Sequence, residues 1–219
     1  MSNAATLLLN GARYISKVLI HKIFVGYFCF KSRLFWRGLV HDISKFSPTE
    51  LFENVKFYNP KTSPVVEARK LFGYSTSWQH HKGRNSHHYE YWVDDVDHGA
   101  KMIRMPFDDA LELICDGLGA SIAYNWKIKD LYFNEWKWWI DGPLKNARMH
   151  PHTRAFIHAI LTRMMKSNNC CALNCDEAFV EYMWLLQHHF ADVPVSCPAE
   201  DCIWKEPQTE EEKEFWNLP

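Results

Sequence analysis

The chain has 219 residues, 47% hydrophobic and 23% charged, with a net charge of −1. That length suits one large domain with a full core, and the balanced charge gives no broad electrostatic case for nucleic acid or an anionic membrane. No run approaches the roughly 18 apolar residues of a membrane span.

The N-terminal stretch is apolar around Leu7 to Leu9, but Arg13, Lys17 and Lys22 interrupt it and no small-residue cleavage site follows, so no signal peptide is read. From Thr6 to Phe30 the pattern is helical. Ile15, Val18, Lys22 and Val25 recur at three-four spacing, and His21 lies on the same stripe, either as a hydrogen-bonded core residue or as a ligand. Lys31-Ser32-Arg33 then leads into a second helix expected to run through Trp36 to Lys45. It carries His41-Asp42, embedded in Leu39, Val40, Ile43 and Phe46. Helices joined by so short a link are normally antiparallel neighbours, which would turn His21 toward His41 and Asp42. An imidazole and a carboxylate in apolar surroundings are costly unless compensated. A divalent metal would do so, because neutral His nitrogen and ionised Asp oxygen are both good ligands; a polar helix end would instead leave Asp42 solvated.

Ser47-Pro48-Thr49-Glu50 is a capping box with proline at the first helical position, so a third helix begins there and ends before Asn59-Pro60. Val65 to Phe72 reads as a short helix stopped by Gly73. Four of the 12 histidines fall between His80 and His88. Gly83 and Asn85-Ser86 suggest a turn there, between two short helical pieces. A His-rich surface loop is one reading; four His with Arg84 and Asn85, flanked by Trp and Tyr, favour an anion or metal site.

Pro106 opens another helix, with Asp108 and Asp109 in the first turn where the dipole favours acids. Glu112 and Asp116 lie four apart, hence on one face. Asp116 is a carboxylate inside an apolar helix, beside Gly117, Gly119, Ala120 and Ser121, which permit close packing. A ligand role or a basic partner would compensate it. Trp126 to Trp139 interleaves aromatics with lysines, as in surfaces that stack single-stranded nucleic acid, but Asp130, Glu135 and Asp141 offset the lysines and packing is the expected role. Helices follow at Thr153 to Met165 and Asp176 to His189, then a Pro- and Glu-rich tail from Ala191. Cys170, Cys171, Cys175, Cys197 and Cys202 contain no paired C-x-x-C knuckle, so reduced thiols in a cytoplasmic protein are expected rather than a structural zinc. All the elements read from the sequence are helices. The fold expected is all-α, a single domain over 1–190 with its metal-site core at about 15–125 and a tail over 191–219.

His21, then His41-Asp42, then Asp116 on successive helices form an H…HD…D order that resembles the HD-domain superfamily of metal-dependent phosphohydrolases. A closer likeness is to an uncharacterised bacterial and phage family of HD-like proteins. Its motifs look like His-Asp-x-Ser-Lys-Phe-Ser-Pro, His-x-x-Arg-Asn-x-His-His, Met-Pro and Glu-x-x-x-Asp, found here at His41 to Pro48, His81 to His88, Met105-Pro106 and Glu112 with Asp116. The resemblance implies an HD-like helical bundle in which His21, His41, Asp42 and Asp116 hold a divalent ion (Mn, Fe, Co, Ni, Zn or Mg), with His81 and His87 as ligands of a second. It also implies a small phosphorylated substrate such as a nucleotide. Lys45, Arg84, Asn85 and His88 would bind its phosphate, and Glu112 would serve as general base or orient a ligand. Two further readings of the same scaffold are a di-iron oxygenase and a non-catalytic nucleotide or phosphate sensor; the dullest is a plain helical interaction protein. No membrane or nucleic-acid partner is expected, and homo-oligomerisation is left open.

Overall fold

The first helix, α1 (Ala4–Lys31), buries Tyr14, Val18, His21, Val25, Phe28 and Cys29 along one stripe, and the rest of the chain packs onto that stripe. In this computed structural model the described residues are 4–94, 99–125, 144–167, 169–199 and 202. The segment 126–139 and the acidic run at 210–212 therefore lie outside them. After α1 come α2 (Phe35–Val40), α3 (Pro48–Lys56), α4 (Pro64–Phe72), α5 (Thr76–Lys82), α6 (Phe107–Asn125), α7 (Pro151–Ser167) and α8 (Cys175–His188). The fold is mostly α, as the periodicity predicts.

A three-stranded antiparallel sheet adds to the helices. β1 (Val93–Asp94) pairs with β2 (Lys101–Ile103), and β2 with β3 (Ser196–Pro198). Strands this short carry too few residues for alternation to show in a sequence. Part of the expected tail is thus built into the fold. Cys197 and Cys202 are joined by a disulfide, contrary to the expectation of reduced thiols, because β3 and the turn after it bring them together; Cys29, Cys115, Cys170, Cys171 and Cys175 are free.

The main core lies where α1, α6, α7 and α8 meet, around Phe28, Leu111, Ile114, Leu118, Phe156 and Ile160. Two glycines set how closely α1 is approached. A Cβ on Gly38 of α2 would meet Cys29 Cβ at 2.8 Å, and one on Gly119 of α6 would meet Val25 Cγ2 at 2.4 Å and the Val25 backbone nitrogen at 2.7 Å. A backbone atom cannot rotate out of the way. Gly119→Ala is therefore expected to destabilise the fold by about 1–3 kcal/mol, lowering the thermal midpoint by about 2–4 °C for each kcal/mol. Thermal unfolding followed by circular dichroism checks this, and an unchanged midpoint would contradict the tight α1–α6 contact.

No described helix is long and apolar enough to cross a membrane.

Candidate metal centre

The second helix stops earlier than its apolar pattern suggests. α2 ends at Val40, His41 is extended (φ −46°, ψ 128°), and Asp42 takes a left-handed conformation (φ 54°, ψ 23°) before a 3-10 turn over Ile43–Phe46. Asp is among the few residues with a side chain that visit this region. The break turns His41 and Asp42 inward while Leu39, Val40, Ile43 and Phe46 face solvent, so the pair is not embedded in its sequence neighbours. Its surroundings come from α1 and α6. Lys22, next to His21 on α1, donates to the carbonyls of Leu39 and His41, both at 2.6 Å, and so fixes the end of α2.

His21, His41, Asp42 and Asp116 converge. His21 Nε2 lies 3.3 Å from Asp42 Oδ2, 3.1 Å from Asp116 Oδ1 and 3.4 Å from His41 Nε2. His41 Nε2 lies 3.3 Å from Asp42 Oδ2 and 3.4 Å from Asp116 Oδ1. Ligand atoms held about 2.1 Å from one ion stand about 3.0 Å apart across an octahedral edge and about 3.4 Å across a tetrahedral one. The observed separations fall on those values.

A second group shares Asp42. Its Oδ1 faces His81 Nε2 at 3.2 Å and His87 Nε2 at 3.5 Å, while His81 Nε2 and His88 Nε2 are 2.9 Å apart. Asp42, His81, His87 and His88 thus form a cluster of their own, able to hold an ion beside the first. Asp42 Oδ1 and His87 Nε2 are buried without a hydrogen bond, and Asp42 Oδ2 has only ion-pair contacts, with the Lys45 ammonium and the imidazoles. Buried polar atoms are costly when left so, and a cation on each side of Asp42 would compensate them.

The outer nitrogens of His41, His87 and His81 are held from behind. Glu112 Oε1 lies 2.9 Å from His41 Nδ1 and 3.2 Å from His87 Nδ1, and Arg37 Nη1 donates to both Glu112 Oε2 and Asp109 Oδ1 at 2.8 Å. Glu112 so placed fixes the ring tautomers and leaves both Nε2 atoms free to ligate. Glu50 does the same for His81, with Oε2 2.9 Å from His81 Nδ1 and Oε1 2.7 Å from His80 Nδ1. The sequence marks Glu50 only as the end of a capping box. Half of that box forms, the Glu50 amide donating to Ser47 Oγ at 3.4 Å, while the carboxylate turns to the histidines instead. The H-x-x-R-N-x-H-H stretch starts at the end of α5 and continues as a turn, with a 3-10 segment (Tyr89–Trp92) after it.

The remaining expected site residues are split. Lys45 Nζ pairs with Asp42 Oδ2 and lines a cavity of about 160 Å³ together with His21, His81 and His88. Asn85 does not face that cavity: its amide donates to Ser44 Oγ at 2.8 Å and to the His81 carbonyl at 2.7 Å, bracing the loop. Arg84 is exposed and lines a separate recess behind the cluster.

Without a cation the acids draw protons onto the rings. Burial pushes the His87 imidazole down, but the Asp42 and Glu112 carboxylates lift it to about 9. The same contest raises His41 well above its ordinary value and raises His81. His88, desolvated and beside His87, is pushed down to about 3 and stays neutral. A metal must displace the protons on His41, His81 and His87. These pKa values are raised, so the rings are protonated below them; affinity is expected to fall as pH drops from about 9 toward 6 and to rise in the other direction. Calorimetry at pH 7 in buffers of different ionisation enthalpy should register proton release on Mn²⁺ uptake. Uptake independent of pH would contradict this arrangement.

A mostly helical protein with a buried, metal-competent His/Asp/Glu cluster is the class that fold and geometry define. The chain belongs to the family of unknown function DUF5662, whose model matches residues 10–163 and so spans every residue of the cluster. No curated protein and no solved structure matches it.

Proposed function

We propose that this protein is a metal-dependent phosphohydrolase of the HD type, acting on a small phosphate ester such as a nucleotide. One observation carries the reading: the two oxygens of Asp42 face two different sets of imidazoles, the arrangement suited to a carboxylate shared by two divalent ions. Ions bound there would lower the pKa of a water and polarise a phosphoryl oxygen. Lys45 at the rim of the cavity orients Asp42 and meets the phosphate's negative charge. His88, kept neutral by burial, adds no charge of its own. The cavity, about 160 Å³, is close to the size that admits benzene, about 150 Å³. It takes a phosphoryl group and little more, so the rest of the ester lies in the mouth.

The test is protein purified without chelator, assayed for bound metal and then for phosphate release from a panel of phosphorylated metabolites. Release that is lost in Asp42→Ala supports the reading. A metal-loaded protein that releases phosphate from none of them overturns it.

A di-iron oxygenase on the same scaffold is the second reading. It is favoured by the three imidazoles and single carboxylate of the second cluster, a nitrogen-rich set that suits iron. Iron content together with oxygen consumption would distinguish it from a hydrolase.

A further inference from the structure

Behind the metal cluster, away from the cavity of Lys45 and His21, lies a recess of about 650 Å³. It is lined by His41, His87 and Glu112 together with Trp36, His80 and Arg84. Two features there are unused by the metal centre. Arg84 is exposed, and its guanidinium makes no ion pair or side-chain hydrogen bond among the described residues. Trp36 is 72% exposed, a large apolar surface lining the same recess. Ser47 and Ser86 also line the recess, their hydroxyls already engaged by the Glu50 amide and the Asp109 carboxylate.

The charges on the recess are unequal. Glu112, the one carboxylate that lines it among the described residues, is already paired with Arg37, which leaves the Arg84 cation uncompensated. An unpaired guanidinium in a concave site favours a phosphate or carboxylate, which it can grip bidentately. An exposed indole in the same recess favours a flat ring stacked on it. We propose that this recess is a second ligand site, separate from the metal cavity, for a small anion that carries a planar ring, held by Arg84 and Trp36. The proposal does not depend on the hydrolase reading, because neither residue touches a candidate metal ligand's inner nitrogen or oxygen.

The test is calorimetric titration of AMP, and separately of inorganic phosphate, into the chelator-treated full chain. AMP is expected to bind saturably and more tightly than phosphate. Arg84→Ala should weaken AMP by about tenfold or more, the scale of a charge-assisted contact, and Trp36→Ala by a similar factor through lost stacking. Phe52→Ala, exposed on α3 and lining neither cavity, should leave the affinity unchanged. Both recess residues are exposed, so unchanged thermal midpoints would show that the variants fold. AMP binding that ignores Arg84 and Trp36 overturns the proposal. So does the absence of saturable binding of either probe at millimolar concentration.

Discussion

Asp42→Asn is expected to empty both halves of the centre together, whereas His21→Ala removes only the first ion and His81→Ala only the second. The asymmetry follows from position. His21 touches the Oδ2 side of Asp42, His81 touches the Oδ1 side, and Asp42 alone stands on both. Its carboxyl is fully buried, and although burial favours the neutral acid, His41 and Lys45 hold it well below the usual carboxylate range. It therefore meets an incoming cation ionised at any physiological pH. The amide of Asn keeps the shape, loses the charge, and replaces one acceptor with a donor. The loss in affinity should exceed about 100-fold, more than removal of an outer hydrogen-bond partner causes. Metal counted per chain after gel filtration in Mn²⁺ checks it. Retention of one ion by Asp42→Asn would mean that Asp42 is not shared.

What the sequence allowed, and where it stopped, follows from the range of each signal. The helices of His21 and Asp116 could be read because three-four spacing is local, and a short link between α1 and α2 constrains which faces meet. The break at Asp42 could not. Leu39, Val40, Ile43 and Phe46 look like the apolar side of one helix, yet they face water, since the left-handed turn at Asp42 depends on Lys22 gripping the carbonyls of Leu39 and His41 from another helix. Arg84 and Asn85 sit in the same His-rich stretch as His81 and His88, but α5 and the turn after it send them to other surroundings. Adjacency in a motif does not fix which wall a side chain lines. Glu50 had a local explanation as a capping residue, and that explanation concealed its contact with His81, 31 residues away.

Those two buried glutamates give the second large effect. Glu112→Gln should weaken both ions, and Glu50→Gln only the one beside His81, each by about 10–100-fold. Glu112 Oε1 receives the outer N–H of a ring from each cluster, His41 from the first and His87 from the second. Glu50 serves His81, and through its other oxygen His80, which belongs to neither cluster. Burial favours the neutral acid at both sites, but the histidine contacts keep both carboxyls below their ordinary range. Each is thus an anion that makes its imidazole a stronger donor to a metal. Glutamine removes that charge and, by flipping, can present an N–H to the ring and favour the wrong tautomer. A stepwise Mn²⁺ isotherm should then show one weakened step in Glu50→Gln and two in Glu112→Gln. Equal damage to both steps from Glu50→Gln would mean that it acts by loosening α3, and a thermal midpoint measured in parallel would register that loosening directly.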